Sequence, residues 1–123
     1  MLVVPTPGHT PTHVSVVVLG EPNVFLAGDT SYTQSLFLAG KVDGVSPKPQ
    51  IAMETHGRIR SLAAERPLVY LPSHDPDSAR RLAESAVIGA DALRAPQEAD
   101  IGRRRTETTD RRLHQVVAAS LGA

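Results

Sequence analysis

The chain has no cysteine and no tryptophan among its 123 residues. The missing thiols exclude disulfides, zinc–thiolate sites and thiol nucleophiles together, so any metal has to sit on histidine and carboxylate. Aromatic residues make up only 3% of the chain, too few for platforms that stack bases or sugars. Neither sign of charge is in excess: 13 Lys and Arg balance 13 Asp and Glu, which argues against a bulk nucleic-acid or polyanion binder. No apolar run approaches the roughly 20 residues that a membrane helix needs. No basic segment followed by an apolar stretch and a small-residue cleavage site is present either, so the expectation is a cytoplasmic protein without a membrane partner.

What is present is proline and glycine, ten and nine of them, concentrated before residue 77. They describe a loop-rich fold. The length suits one domain or a piece of one. The neutral total hides a patterned C-terminus: residues 75–100 carry six acids against three arginines, and residues 102–112 carry five arginines against Glu107 and Asp110. These two segments can compensate each other, so the arginines at 103–105 read as part of a solvated tail rather than a phosphate site.

Leu2–Val4 is a short apolar run cut by Pro5 and Pro7, a strand that ends in a loop. Val14–Leu19 is apolar at both odd and even positions, the pattern of a strand buried on two sides. The turn residues Gly20-Glu21-Pro22-Asn23 join it to Val24–Ala27 as a hairpin. A short helix is expected over Thr33–Leu38, and a longer one from Pro49 to about Glu65, since proline is tolerated in a first helical turn. Leu68–Leu71 reads as a further strand, and Asp77 or Ser78 as the cap of a helix through about Val87. Residues 89–112 are polar. A final amphipathic helix is expected at Arg111–Leu121.

Three times an apolar strand ends and a potential metal ligand follows: His9 after Leu2–Val4, Asp29 after Val24–Ala27, His74 after Leu68–Leu71. A sheet fixes the backbone at such points while the loop frees the side chain. Two imidazoles and a carboxylate suit Zn²⁺, Fe²⁺ or Mn²⁺ rather than Ca²⁺. His13 opens a strand and reads as a supporting or structural residue rather than a ligand. His56 and His114 fall on expected helix surfaces and read as solvated. Asp75 is either a turn residue or an acceptor that orients His74.

The words around these residues are more specific than their spacing. Thr6-Pro7-Gly8-His9-Thr10-Pro11-Thr12-His13, Phe25-Leu26-Ala27-Gly28-Asp29-Thr30-Ser31-Tyr32 and Leu71-Pro72-Ser73-His74-Asp75-Pro76 resemble, in order, the later motifs of the metallo-β-lactamase fold hydrolases. Gly28-Asp29-Thr30-Ser31-Tyr32 looks most like the quorum-quenching N-acyl homoserine lactonase group. The resemblance implies an α/β (α+β) fold, the second half of an αββα sandwich, with short strands and helices on one face. It covers roughly residues 1–87. Residues 88–123 form a polar tail with a terminal helix and resemble nothing recognised.

By that resemblance His9 completes one metal site, Asp29 bridges two metals, His74 binds the second, and Tyr32 contacts the substrate carbonyl or oxyanion. The implied cofactor is Zn²⁺, two ions per complete site, with Fe²⁺ or Mn²⁺ as alternatives. The implied chemistry is opening of a small-molecule ester or lactone by a hydroxide shared between the metals. Two departures stand out. Thr12 occupies a position where the family usually has glycine, and the His-x-His-x-Asp-His cluster of the family's first half has no counterpart in the chain. The expectation is therefore a truncated hydrolase that is inactive alone. The competing readings are a non-catalytic half-domain that associates with itself or with a separate N-terminal half, and a thioesterase of the glyoxalase II type.

Overall fold

A computed structural model describes residues 1–42 and 46–94. The elements run β1 (Leu2–Pro5), β2 (Val14–Val18), β3 (Asn23–Gly28), α1 (Gln34–Leu38), α2 (Pro49–Glu65), β4 (Leu68–Pro72), α3 (Ser78–Glu84) and α4 (Ala90–Leu93). The four strands form one sheet in sequence order. β1, β2 and β3 are antiparallel neighbours, and β4 joins β3 in parallel. A parallel pair needs a long crossover, and α1 and α2 provide it. The mixed α/β architecture expected for half of a sandwich is what forms.

The pleat divides the sheet. Val17, Phe25 and Tyr70 lie side by side across β2, β3 and β4 on the inner face. With Val4 they are buried completely, and they share one core with Phe37 of α1 and with Ile59, Leu62 and Ala63 of α2. The rings stack through this layer: Phe25 on Tyr70 at 6.0 Å between centroids, and Tyr70 on Phe37 at 4.5 Å. On the outer face Val3, Val16 and Leu26 form the matching row. Val3, Val14, Val18 and Leu26 are exposed there. The two-sided apolar pattern of β2 had predicted burial on both faces; the strand is buried on one. No described element covers the other side of β1 and β2.

Helix boundaries follow from local chemistry. Thr33 caps α1, its side chain accepting the Leu36 N–H at 3.1 Å. Pro49 occupies the first turn of α2, and Arg66, extended before Pro67, ends it. The helix expected through Val87 stops at Glu84. Ser85 turns left-handed (φ 51°), the Ala86 N–H bonds the Arg81 carbonyl at 2.9 Å, and the Ile88 N–H then bonds the Leu68 carbonyl at 3.0 Å. Ile88 thereby enters the core, and Leu93 and Ala92 pack against it. The expected helix Arg111–Leu121 lies outside the described residues. No described helix is long and apolar enough to cross a membrane.

Candidate functional site

The loop that carries His9 leaves β1 and returns to β2, closed at its base by the Thr6 N–H bonding the His13 carbonyl at 2.9 Å. α2 holds it from beside: Thr55 Oγ1 donates to the Pro7 carbonyl at 2.6 Å. Gly8 makes that approach possible, since a Cβ there would sit 2.8 Å from Ala52 Cα. Asp29 follows β3 at Gly28, whose φ of +58° favours glycine. The loop after β4 is drawn to the same place by the Ser73 N–H, which bonds the Gly28 carbonyl at 2.9 Å.

Three residues remote in sequence therefore meet. Asp29 Oδ1 lies 3.1 Å from His74 Nε2, and Asp29 Oδ2 lies 3.7 Å from His9 Nε2. Tyr32 stands edge-on to the His74 ring at 5.2 Å between centroids. His74 is the most open of the three, with 61% of its side chain exposed. Asp29 Oδ1 is buried without a well-angled hydrogen bond.

The ligand group thus matches a divalent cation in kind, with one buried carboxylate oxygen that is not satisfied by the protein. In number it falls short of a two-ion centre. Each imidazole faces a different carboxylate oxygen, and among the described residues no three His, Asp or Glu groups are arranged to hold one metal ion.

Beneath the site lies a polar layer. The Tyr70 hydroxyl is 2.7 Å from both Thr30 Oγ1 and Ser31 Oγ, directly after Asp29. Burial pushes its phenol up to about 12, against the opposing effect of these two hydroxyls. His56 is buried, contrary to the solvated helix position expected of it. Its Nε2 donates to the Thr30 carbonyl at 2.6 Å, and its ring meets Phe37 edge-on. Spacing alone hides this, because the face of α2 that carries His56 is buried by the loop after Asp29.

Asp75 does not accept a bond from His74. Its carboxylate takes the Gln34 N–H at 2.8 Å, the Asp77 N–H at 2.9 Å and Arg81 Nη2 at 2.7 Å. Burial works against ionisation of Asp75, yet these donors and the Arg81 charge hold it below the ordinary carboxylate value. The pair is almost wholly buried and ties the start of α1, just past Tyr32, to the His74 loop. Arg81, which also donates to the Tyr70 carbonyl, gave no sequence signal beyond lying six residues after Asp75.

Fold and site together define a class: a four-stranded sheet with helices packed on it, presenting imidazole and carboxylate from three strand ends at one point. The model of the metallo-beta-lactamase superfamily matches residues 1–74, and the chain belongs to that superfamily. No curated protein and no solved structure matches the chain.

Proposed function

We propose that the chain supplies His9, Asp29 and His74 to the divalent-metal centre of a hydrolase that opens a small-molecule lactone or ester, with an N-acyl homoserine lactone as the type of substrate. The observation that carries this reading is the meeting of the three side chains around Asp29, within a chain whose first 74 residues match the superfamily. A bound divalent cation, zinc or alternatively Fe²⁺ or Mn²⁺, supplies an activated water and a Lewis acid for the carbonyl. His9, Asp29 and His74 are the side chains that would hold it. The Tyr32 phenol, against the open His74 ring, donates its O–H to the substrate carbonyl oxygen as charge develops there. The Asp29 carboxylate would take up the proton lost by the attacking water and give it to the leaving alkoxide. A phenol in this position suits a lactone better than the thioester of a glyoxalase II-type enzyme.

The three side chains gathered among the described residues fall short of a two-ion centre, so this reading takes the remaining ligands from outside those residues. The open apolar face of β1, β2 and β3 favours this second element of the reading. It is the surface against which a further apolar sheet packs, bringing those ligands to the strand ends. Calorimetric titration of the full chain with Zn²⁺ tests both parts. The expected result is measurable binding of at most about one ion per chain, abolished in Asp29→Ala. No binding overturns the metal centre, and about two ions per chain overturn the half-site.

A further inference from the structure

We infer that His13 is a positioning residue that couples the His9 loop to Asp29 through one fixed tautomer of its imidazole. The inference rests on the proposed metal centre for its consequence, but its geometry stands apart from any metal. The Asp29 N–H points at His13 Nε2 at 3.0 Å. A backbone N–H can only donate, so Nε2 accepts and the ring proton sits on Nδ1. Nδ1 lies 2.9 Å from Thr6 Oγ1 and 3.1 Å from the Thr6 carbonyl. Thr6 Oγ1 lies 2.7 Å from Ser15 Oγ, which donates to the Ala27 carbonyl at 3.2 Å.

Both ends of this chain are backbone groups of β3 and its exit, and both have fixed polarity. The Ala27 carbonyl accepts and the Asp29 N–H donates. Every bond between them then runs one way: His13 Nδ1–H to Thr6, Thr6 O–H to Ser15, Ser15 O–H to Ala27. Thr6 and Ser15 are buried, so water does not replace a broken link. Thr6 and His13 also close the base of the His9 loop. One imidazole therefore sets where the loop bearing His9 stands relative to Asp29. Gly28 is part of the same arrangement, because a Cβ at that residue would lie 2.9 Å from His13 Nε2 and push the ring off the Asp29 N–H.

Two substitutions separate the ring's two nitrogens. The amide oxygen of His13→Gln reaches about as far as Nε2 and can keep the Asp29 bond, whereas His13→Asn reaches only the Nδ1 position. The full chain, ¹⁵N-labelled and metal-free, is expected to show His13 protonated on Nδ1 in long-range imidazole spectra. The Asp29 amide should exchange about five- to tenfold faster in His13→Asn than in the parent, with protection recovered in His13→Gln. Cobalt(II) titration, followed by its visible absorption, should show about tenfold or greater weakening in His13→Asn and recovery in His13→Gln. An Nε2-protonated ring, or equal Asp29 exchange in all three proteins, overturns the inference. If the variants fail to fold, the tautomer in the parent decides. A parent chain that takes up no cobalt overturns the metal reading instead and leaves the exchange and tautomer results to judge His13.

Discussion

Val3 and Val4 are neighbours in β1 and identical in chemistry, yet Val3 is 63% exposed and Val4 not at all. The pleat sends them to opposite faces, and at β1 it is the inner side that joins the core shared with α1 and α2. The same split runs across the sheet: Val17 and Phe25 lie inside, Val16 and Leu26 outside. Composition cannot distinguish the two faces, since both are aliphatic or aromatic. What distinguishes them is a covering layer. The inner face is finished as a protein core, while the outer face, among the described residues, remains a surface that another layer would complete.

Truncation on the inner face should therefore cost most. Phe25→Ala removes a fully buried ring stacked on Tyr70, and a destabilisation of about 3–5 kcal/mol is expected in denaturant titration. A loss below about 1 kcal/mol would show that the inner layer is not a packed core.

The polar layer under Asp29 gives a smaller effect with a pH signature. Tyr70→Phe takes from the buried Thr30 hydroxyl its Tyr70 partner and leaves Ser31 Oγ only its bond to the Thr33 carbonyl, at an expected cost of about 1–3 kcal/mol. The folded phenol ionises only near pH 12, against an ordinary value of 10.0. A raised folded value means that this contribution is full below pH 10.0 and is lost as pH rises toward about 12. The melting temperature of the parent should fall across that window more steeply than that of Tyr70→Phe. Parallel curves would place Tyr70 outside the core.

The strands and α2 were legible because their signals are local: apolar runs cut by Pro5, Gly20 and Pro72, and a helix opened by Pro49 and closed before Pro67. The gathering of His9, Asp29 and His74 was legible for a similar reason, since a strand end places a side chain whatever the rest of the chain does. What escaped was set by contacts distant in sequence. His56 is buried because the Thr30 carbonyl, 26 residues earlier, lies over it. The helix α3 ends at Glu84 rather than Val87 because Ile88 is drawn to Leu68 and into the core. The one-sided burial of β2 could not be read from its valines at all, because it depends on which layer is present.

That last point yields the smallest effect on stability and the sharpest test of the comparison. Leu26→Ser on the outer face is expected to change stability by no more than about 0.5 kcal/mol, the ordinary range for an exposed position. Its effect should fall on association instead. The parent chain exposes Val3, Val14, Val18 and Leu26 on one side of the sheet, with no charge among them, and should self-associate in light scattering as its concentration rises. Leu26→Ser, next in the row that runs from Val3 through Val16, should reduce that association. A strictly monomeric parent with cooperative unfolding would show that the outer face is tolerated in water and needs no partner. A Leu26→Ser protein as unstable as Phe25→Ala would show that the face is already covered, and the two sides of the sheet would then be alike.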